Sequence, residues 1–222
     1  MNSKNSHPNW KQANNFLLGY GSLLSADSRL QFSDNPHPAI CVRVKGFQRG
    51  WITRAFHEHQ TYVGVVPSQN SEINAHCVPI TINPSLQQRE QDYRFVEVEH
   101  QQVLPNGCRN SELWHHVEHP RAKLWICESL KNYPASDEFP IHQSYVDTCL
   151  SGCLNHYQQD KEIHHDGVAE ARRFITTTAG WQCLLNDRDS VKYPRAGKLS
   201  SQEQGIIDEL LNEFGYKSIG QS

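Results

Sequence analysis

An α+β fold is predicted for this chain: a small mixed β-barrel or strongly curled sheet, followed by helices. Three observations predict it. The first half carries short β-branched and aromatic runs punctuated by Gly, Pro and Asn. The second half carries apolar residues at helical spacing. No internal repeat or low-complexity linker separates the halves, so strands and helices belong to one domain. Residues 1–15 read as a flexible lead-in, and 16–222 as a single domain whose last part, 160–222, is a helical extension without an assigned role.

The strands come first. Phe16–Gly19 is a short apolar run that stops at glycine, and Ala39–Val44 is apolar and β-branched. Phe47–Phe56 resumes after Gly46, and Thr61–Val66 stops at Pro67. In Cys77–Ile82 the proline at 79 argues for an edge or a bulge, because it cannot donate to a ladder. Tyr93–Val98 alternates, and Ala122–Cys127 is the last long strand. Between strands, Asn83–Gln91 predicts one or two helical turns: Asn83 caps, Pro84 suits the first position, and Gln87 to Glu90 favour helix. Helices are then predicted over Pro140–Tyr157, Gly167–Thr177 and Ser201–Phe214. The last has a serine cap with Glu203 in its first turn, an apolar stripe of Ile206, Ile207, Leu210, Leu211 and Phe214, and Gly215 to end it.

Composition narrows the function classes. With 37% hydrophobic and 20% charged residues and a net charge of -3, the chain has no electrostatic case for nucleic acid or an anionic membrane. No run approaches the roughly 18 apolar residues of a spanning helix, and the first fifteen residues lack the apolar core of a secretory signal. A cytoplasmic protein with reduced thiols is expected, since the seven cysteines are odd in number and no pair is spaced CxxC. Cys41, Cys77, Cys127 and Cys183 lie in apolar runs and read as small hydrophobes.

One short stretch carries chemistry. In Phe16–Leu24 (FLLGYGSLL) two glycines flank a tyrosine at the end of a buried strand. Such a turn presents several backbone N–H groups with little side chain in the way, a nest for an anionic oxygen; the plain alternative is a tight turn with a packed tyrosine. A second stretch, Leu86–Tyr93 (LQQREQDY), places Glu90 at the end of a short helix beside a strand, either as a solvated charge or as a carboxylate aimed into a cavity.

Together, Tyr20-Gly21-Ser22-Leu23 and, about sixty to seventy residues on, Leu86-Gln87-Gln88-Arg89-Glu90…Tyr93 resemble the γ-glutamylcyclotransferase superfamily, particularly its ChaC-like and bacterial branches. Ser144–Leu150 is similar to the family's later tyrosine-bearing helix, and the resemblance runs from about Phe16 to Leu154, leaving the tail after Gly167 without a counterpart. It implies a small mixed β-barrel with helices around it. It also implies a γ-glutamylcyclotransferase-type lyase or acyltransferase that turns a γ-glutamyl amide into 5-oxoproline and releases the amine, with no metal or cofactor. Glu90 is then the general acid/base, and Tyr20, Gly21, Ser22, Leu23, Tyr93 and Tyr145 bind the substrate. A Cβ at Gly21 is expected to fill the space a substrate oxygen needs. Arg89 is expected to point outward or to pair with an acidic neighbour.

The rivals read differently. His57 and His59 on a strand would share a face, while His115-His116 and His164-His165 are adjacent and cannot both reach one metal from a helix. Cys149 and Cys153, one helical turn apart, read as core or as a redox pair. Ser22 lacks the frame of a nucleophile elbow. The alternative to an enzyme is a non-catalytic small-molecule or protein-binding module on the same fold. The tail either completes the helical layer or covers the pocket, with Trp181, Tyr193 and Tyr193–Leu199 (YPRAGKL) as lid candidates.

Overall fold

A computed structural model describes residues 8–33, 35–108, 111–155 and 166–220. Its centre is a seven-stranded mixed sheet in the order β4-β6-β1-β3-β2-β5, with β8 also pairing β2. The strands are β1 (Asn15–Gly19), β2 (Ile40–Ala55), β3 (Gln60–Pro79), β4 (Tyr93–Val98), β5 (Val103–Pro105), β6 (Lys123–Ser129) and β8 (Thr178–Ala179). β1 lies between β3, antiparallel, and β6, parallel. The outer strands β4 and β5 do not pair with each other, so the barrel is partial. A small second sheet, β10-β9-β7, joins Ile219–Gly220, Leu184–Asn186 and Ile141–His142.

Two expected breaks are absent. Ala39–Val44 and Phe47–Phe56 are one continuous strand, β2, and Thr61–Val66 runs on into Cys77 as β3. Pro67 does not end its strand, because it pairs with Phe47 at an irregularity where the register jumps from Lys45↔Glu72 to Phe47↔Pro67. A missing N–H is tolerated where the ladder is already interrupted. Pro79 is the last residue of β3, paired with Phe16. The lead-in is tied down before Phe16: Trp10 is buried against the Phe16 ring, with Nε1 donating to the Pro38 carbonyl at 2.9 Å.

The helices follow the capping signals. α2 (Pro84–Arg89) starts at Asn83, whose side chain accepts from Leu86 N. α5 (Gly167–Thr176) is capped by Asp166, and α6 (Ser201–Glu213) by the reciprocal Ser200 and Glu203 box. α4 (Gln143–Asn155) is buried along nearly its whole length, because it lies between the sheet and the last two helices. Two helices escape the apolar-period reading: α1 (Ala26–Ser33) and α3 (Glu112–Glu118). α1 packs on the turn after β1, and α3 begins at Ser111, whose hydroxyl accepts from Trp114 N. The end of the first predicted helix after Asn155, and the His164-His165 pair, lie outside the described residues.

Cys41, Cys77, Cys108, Cys127, Cys149 and Cys153 are buried free thiols, whereas Cys183, expected inside, is only partly covered. Burial pushes the Cys149 and Cys153 thiols up, so both are protonated core groups.

Candidate functional site

The site begins at the end of β1. Hydrogen bonds to the main sheet stop at Gly19, and a 3-10 turn spans Ser22–Leu24 with Gly21 at its start. Three buried side chains take the carbonyls of this segment. Arg49 donates to Tyr20 O at 3.1 Å; Arg29 donates to Leu23 O at 2.7 Å and Leu24 O at 3.0 Å; His76 Nδ1 donates to Leu24 O at 2.9 Å. With its carbonyls held this way, the turn offers its first N–H groups, which have no acceptor inside a helical turn.

The two glycines have packing reasons. A Cβ on Gly19 would meet Leu23 Cβ at 2.6 Å, so this glycine lets the turn fold back on itself. A Cβ on Gly21 would meet Val63 Cγ2 at 2.7 Å and Tyr145 Oη at 2.8 Å. Gly21 thus has a packing reason of its own beside the expected room for a substrate oxygen: a Cβ would press on two residues of the cavity lining.

Glu90 arrives from the other side. It follows α2 as the C-terminal capping residue, with its N–H bonded to Leu86 O. Its side chain is 11% exposed and that of Arg89 9%, and Arg89 Nε donates to Glu90 Oε1 at 3.1 Å. Arg89 also reaches Ser22 Oγ at 3.3 Å and Ser33 Oγ, so it pairs with its acidic neighbour while pointing inward and bridging both halves of the site. Cys127 of β6 lines the same cavity as Glu90, and burial first and then the neighbouring Glu90 push its thiol up. Reading Cys127 only as core filler missed this placement, since β6 brings it to the cavity from a separate part of the chain.

These pieces enclose one cavity of about 140 Å³. Its lining includes the residues that the resemblance assigns to the site: Tyr20, Gly21, Ser22, Leu23, Glu90, Tyr93 and Tyr145. The Tyr20 hydroxyl donates to the Cys127 carbonyl, and that of Tyr93 to the Val63 carbonyl at 2.8 Å. Both protons are thus committed to the main chain, leaving oxygens that can only accept. Burial pushes the Tyr20, Tyr93, Tyr145 and Tyr193 hydroxyls up, so all four are neutral near pH 7. Asp92, also in the lining, is raised by burial and then by Glu58, with His57 opposing.

Six lining residues come from outside the motifs: Val63 and Cys127, together with Glu58, Tyr62, Tyr193 and Arg195. Glu58 sits with His57 and His59 in the turn joining β2 to β3, so the two histidines do not share a strand face. Tyr193 and Arg195 come from the tail. The Tyr193 ring packs on Tyr145 at 4.6 Å and Tyr62 at 5.6 Å. Trp181 is instead stacked on Tyr216 and against Trp51, away from the cavity lining. Among the described residues, no group of three His, Cys, Asp or Glu is arranged to hold a metal ion, and no helix is long and apolar enough to cross a membrane.

No protein-family model and no curated protein matches the chain. Solved structures do. One described as gamma-glutamyl cyclotransferase superposes with a TM-score of 0.51 at 14% identity, over 87% of this chain and 98% of that one. The fold is that of a γ-glutamyl cyclotransferase. An uncharacterised protein from Homo sapiens gives a TM-score of 0.49 at 12% identity over 87% of this chain and 97% of its own. A γ-glutamyl cyclotransferase specific to glutathione from yeast gives 0.42 at 13% over 90% and 98%. In this γ-glutamyl cyclotransferase fold, the curled sheet brings the end of β1 and the residue after α2 to the same hollow.

Proposed function

We propose that the chain converts a γ-glutamyl amide into 5-oxoproline and the free amine, with Glu90 as general acid/base. The observation that carries this reading is the shared cavity: a nearly buried carboxylate lines it together with a glycine turn whose carbonyls are engaged by Arg49, Arg29 and the turn's own N–H groups. The substrate is a γ-glutamyl amino acid, glutathione or a γ-glutamyl amine. The fold supports the reaction class, and the cavity supports the roles.

In the substrate, the α-amino nitrogen and the γ-carbonyl carbon belong to the same glutamyl group, so the protein's first task is to hold the cyclising conformer. Tyr145, Tyr193 and Tyr62 form a rigid aromatic wall for it. Glu90 accepts a proton from the α-ammonium, and the freed nitrogen attacks the γ-carbonyl carbon. Negative charge moves to the carbonyl oxygen, where N–H groups of the Tyr20–Leu23 turn stabilise it. Glu90 returns the proton to the departing nitrogen as the C–N bond breaks. The attacking nitrogen sheds its second surplus proton as the lactam forms; this proton passes through the regenerated Glu90 carboxylate to the released amine, which leaves as an ammonium, so protons and charge balance and the reaction is redox-neutral. Arg89 holds the rotamer of that carboxylate through its Nε bond to Oε1.

The test is a panel of γ-glutamyl compounds incubated with wild type and Glu90→Gln, reading 5-oxoproline. The variant is expected to lose about 10²- to 10⁴-fold in rate with an unchanged melting temperature. Near-normal cyclisation by the variant would remove Glu90 from its role. No 5-oxoproline from any compound with wild type would favour a binding module on the same fold.

A further inference from the structure

We propose that Arg195 is the receptor for a second carboxylate, the one carried by the departing amine, so that the chain selects γ-glutamyl amino acids and short peptides over γ-glutamyl amines that lack a carboxylate. This deepens the reading of the reaction above and rests on it.

Most of the other described arginines have a carboxylate partner. Arg43 pairs with Glu170, Arg89 with Glu90, Arg94 with Glu128, Arg172 with Glu213, Arg173 with Glu72 and Glu170, and Arg188 with Asp147 and Asp208, while Arg54 donates to the Pro134 carbonyl over the Phe139 ring, away from the cavity. The buried Arg29 and Arg49 are taken up by backbone carbonyls and neutral side chains. Arg195 is half-buried in the cavity wall, yet no ion pair to it occurs among the described residues. Its Nε donates to Tyr193 Oη at 3.3 Å, and its guanidinium lies 5.3 Å and 5.7 Å from the centres of the Tyr193 and Tyr62 rings. A guanidinium beside two aromatic rings in a cavity lining, with only its Nε engaged, suits a carboxylate in two-point contact. Glu58 and Asp92 line the same cavity without reaching ion-pair distance of it.

The position is built. The strap from Asp187 to Gly197 is clasped onto the start of α4. Asp187 accepts from Ser144 N at 2.8 Å, Ser144 Oγ at 2.6 Å and Lys192 N at 2.7 Å. Arg188 forks onto Asp147 at 2.7 Å and 2.8 Å. Tyr193 N then donates to Ser144 Oγ at 3.2 Å, and Gly197 N to Thr148 Oγ1 at 3.2 Å. These bonds fix the backbone on both sides of Arg195.

The cavity has two charged places: Glu90 paired with Arg89 at the end of α2, and Arg195 of the strap beside the Tyr193 and Tyr62 rings, which pack on each other and on Tyr145. A γ-glutamyl amino acid is polarised the same way. Its ammonium lies beside the reacting carbon, and the carboxylate of the departing amino acid lies two bonds beyond the nitrogen that leaves.

The experiment is titration calorimetry on Glu90→Gln protein with γ-glutamylglycine and with γ-glutamylglycinamide, which differ only in that carboxylate. Expected is a ten- to hundredfold tighter Kd for γ-glutamylglycine. Adding Arg195→Gln should erase that difference while leaving the amide's Kd within about twofold, and Arg195→Lys should restore part of it. Equal affinities, binding of neither compound, or a loss by Arg195→Gln that is the same for both would overturn the proposal; the last is what a loosened strap would give. Assay of wild type separates the two readings. 5-Oxoproline formed equally from both compounds leaves the reaction standing and this subsite fallen. Carboxylate preference in binding without 5-oxoproline from either leaves the subsite standing and the reaction fallen.

Discussion

Gly21 is the position where a single methylene decides the site. Its missing side chain is what lets Val63 and Tyr145 close the cavity wall against the turn. Gly21→Ala is expected to lower the free energy of unfolding by about 1–3 kcal/mol, measured by urea denaturation. Tyr145→Phe in the same chain should recover part of that loss, because it removes the hydroxyl that lies 2.8 Å from the new carbon. A neutral Gly21→Ala would mean that the wall can retreat. Arg49 is the second decisive residue: fully buried, it bonds Tyr20 O, Asn74, Phe174 O, Thr177 and Thr178, and stacks 3.9 Å from the Phe174 ring. Burial pushes its pKa down to about 10, still leaving it charged at neutral pH. One cation thus ties the active turn to the end of α5.

At the scale of elements, the strap and β7 depend on each other. Asp187 sits under the start of α4, and beside it His142 is buried with Nδ1 at 3.2 Å from Gln60 Oε1. Burial holds this imidazole below its ordinary 6.5, with Asp187 opposing and Lys192 adding to the effect. The unfolded chain therefore takes up this proton more readily than the folded one. The stability involved is complete above pH 6.5 and is lost as pH falls from there towards the lower folded-state value. His142→Gln is expected to flatten the decline of the urea midpoint over that window. An unchanged slope would show that His142 takes no part in it. The long β2–β3 hairpin works at the same scale. It carries Trp51, Tyr62 and Val63 past the turn after β1, so aromatic residues far apart in sequence meet over Tyr145.

For the whole molecule, the segment after α4 is part of the core. Ala171, Phe174 and Ile175 of α5 and Ile207, Leu210 and Leu211 of α6 are buried, and Thr178–Ala179 adds a strand to β2. A chain ending at Asn155 would lose these contacts and three of the acceptors of Arg49. It is expected to show no cooperative thermal transition. A sharp transition close to that of the full chain would make the tail an accessory.

Much of this was legible locally. Asn83, Asp166 and Ser200 announce their helices because a cap is a contact between near neighbours. The alternation of Tyr93–Val98 marks β4 because period two follows from backbone geometry alone. The turn at Tyr20–Leu23 and the carboxylate at Glu90 stand out by residue type, and both line the cavity. Other features needed the fold. Nothing in the order of residues says that Pro67 can stay inside a strand; an interruption on the facing strand decides it. The same holds for Cys127 in the cavity with Glu90, for Arg49 beneath Tyr20, and for Arg195 reaching the cavity over Tyr62. Sequence by itself determined the elements, whose causes lie within a few residues. Which charges are neutralised, and which one faces an open cavity, was decided only by tertiary structure, because burial and charge pairing are sums over groups that the chain brings together from far apart.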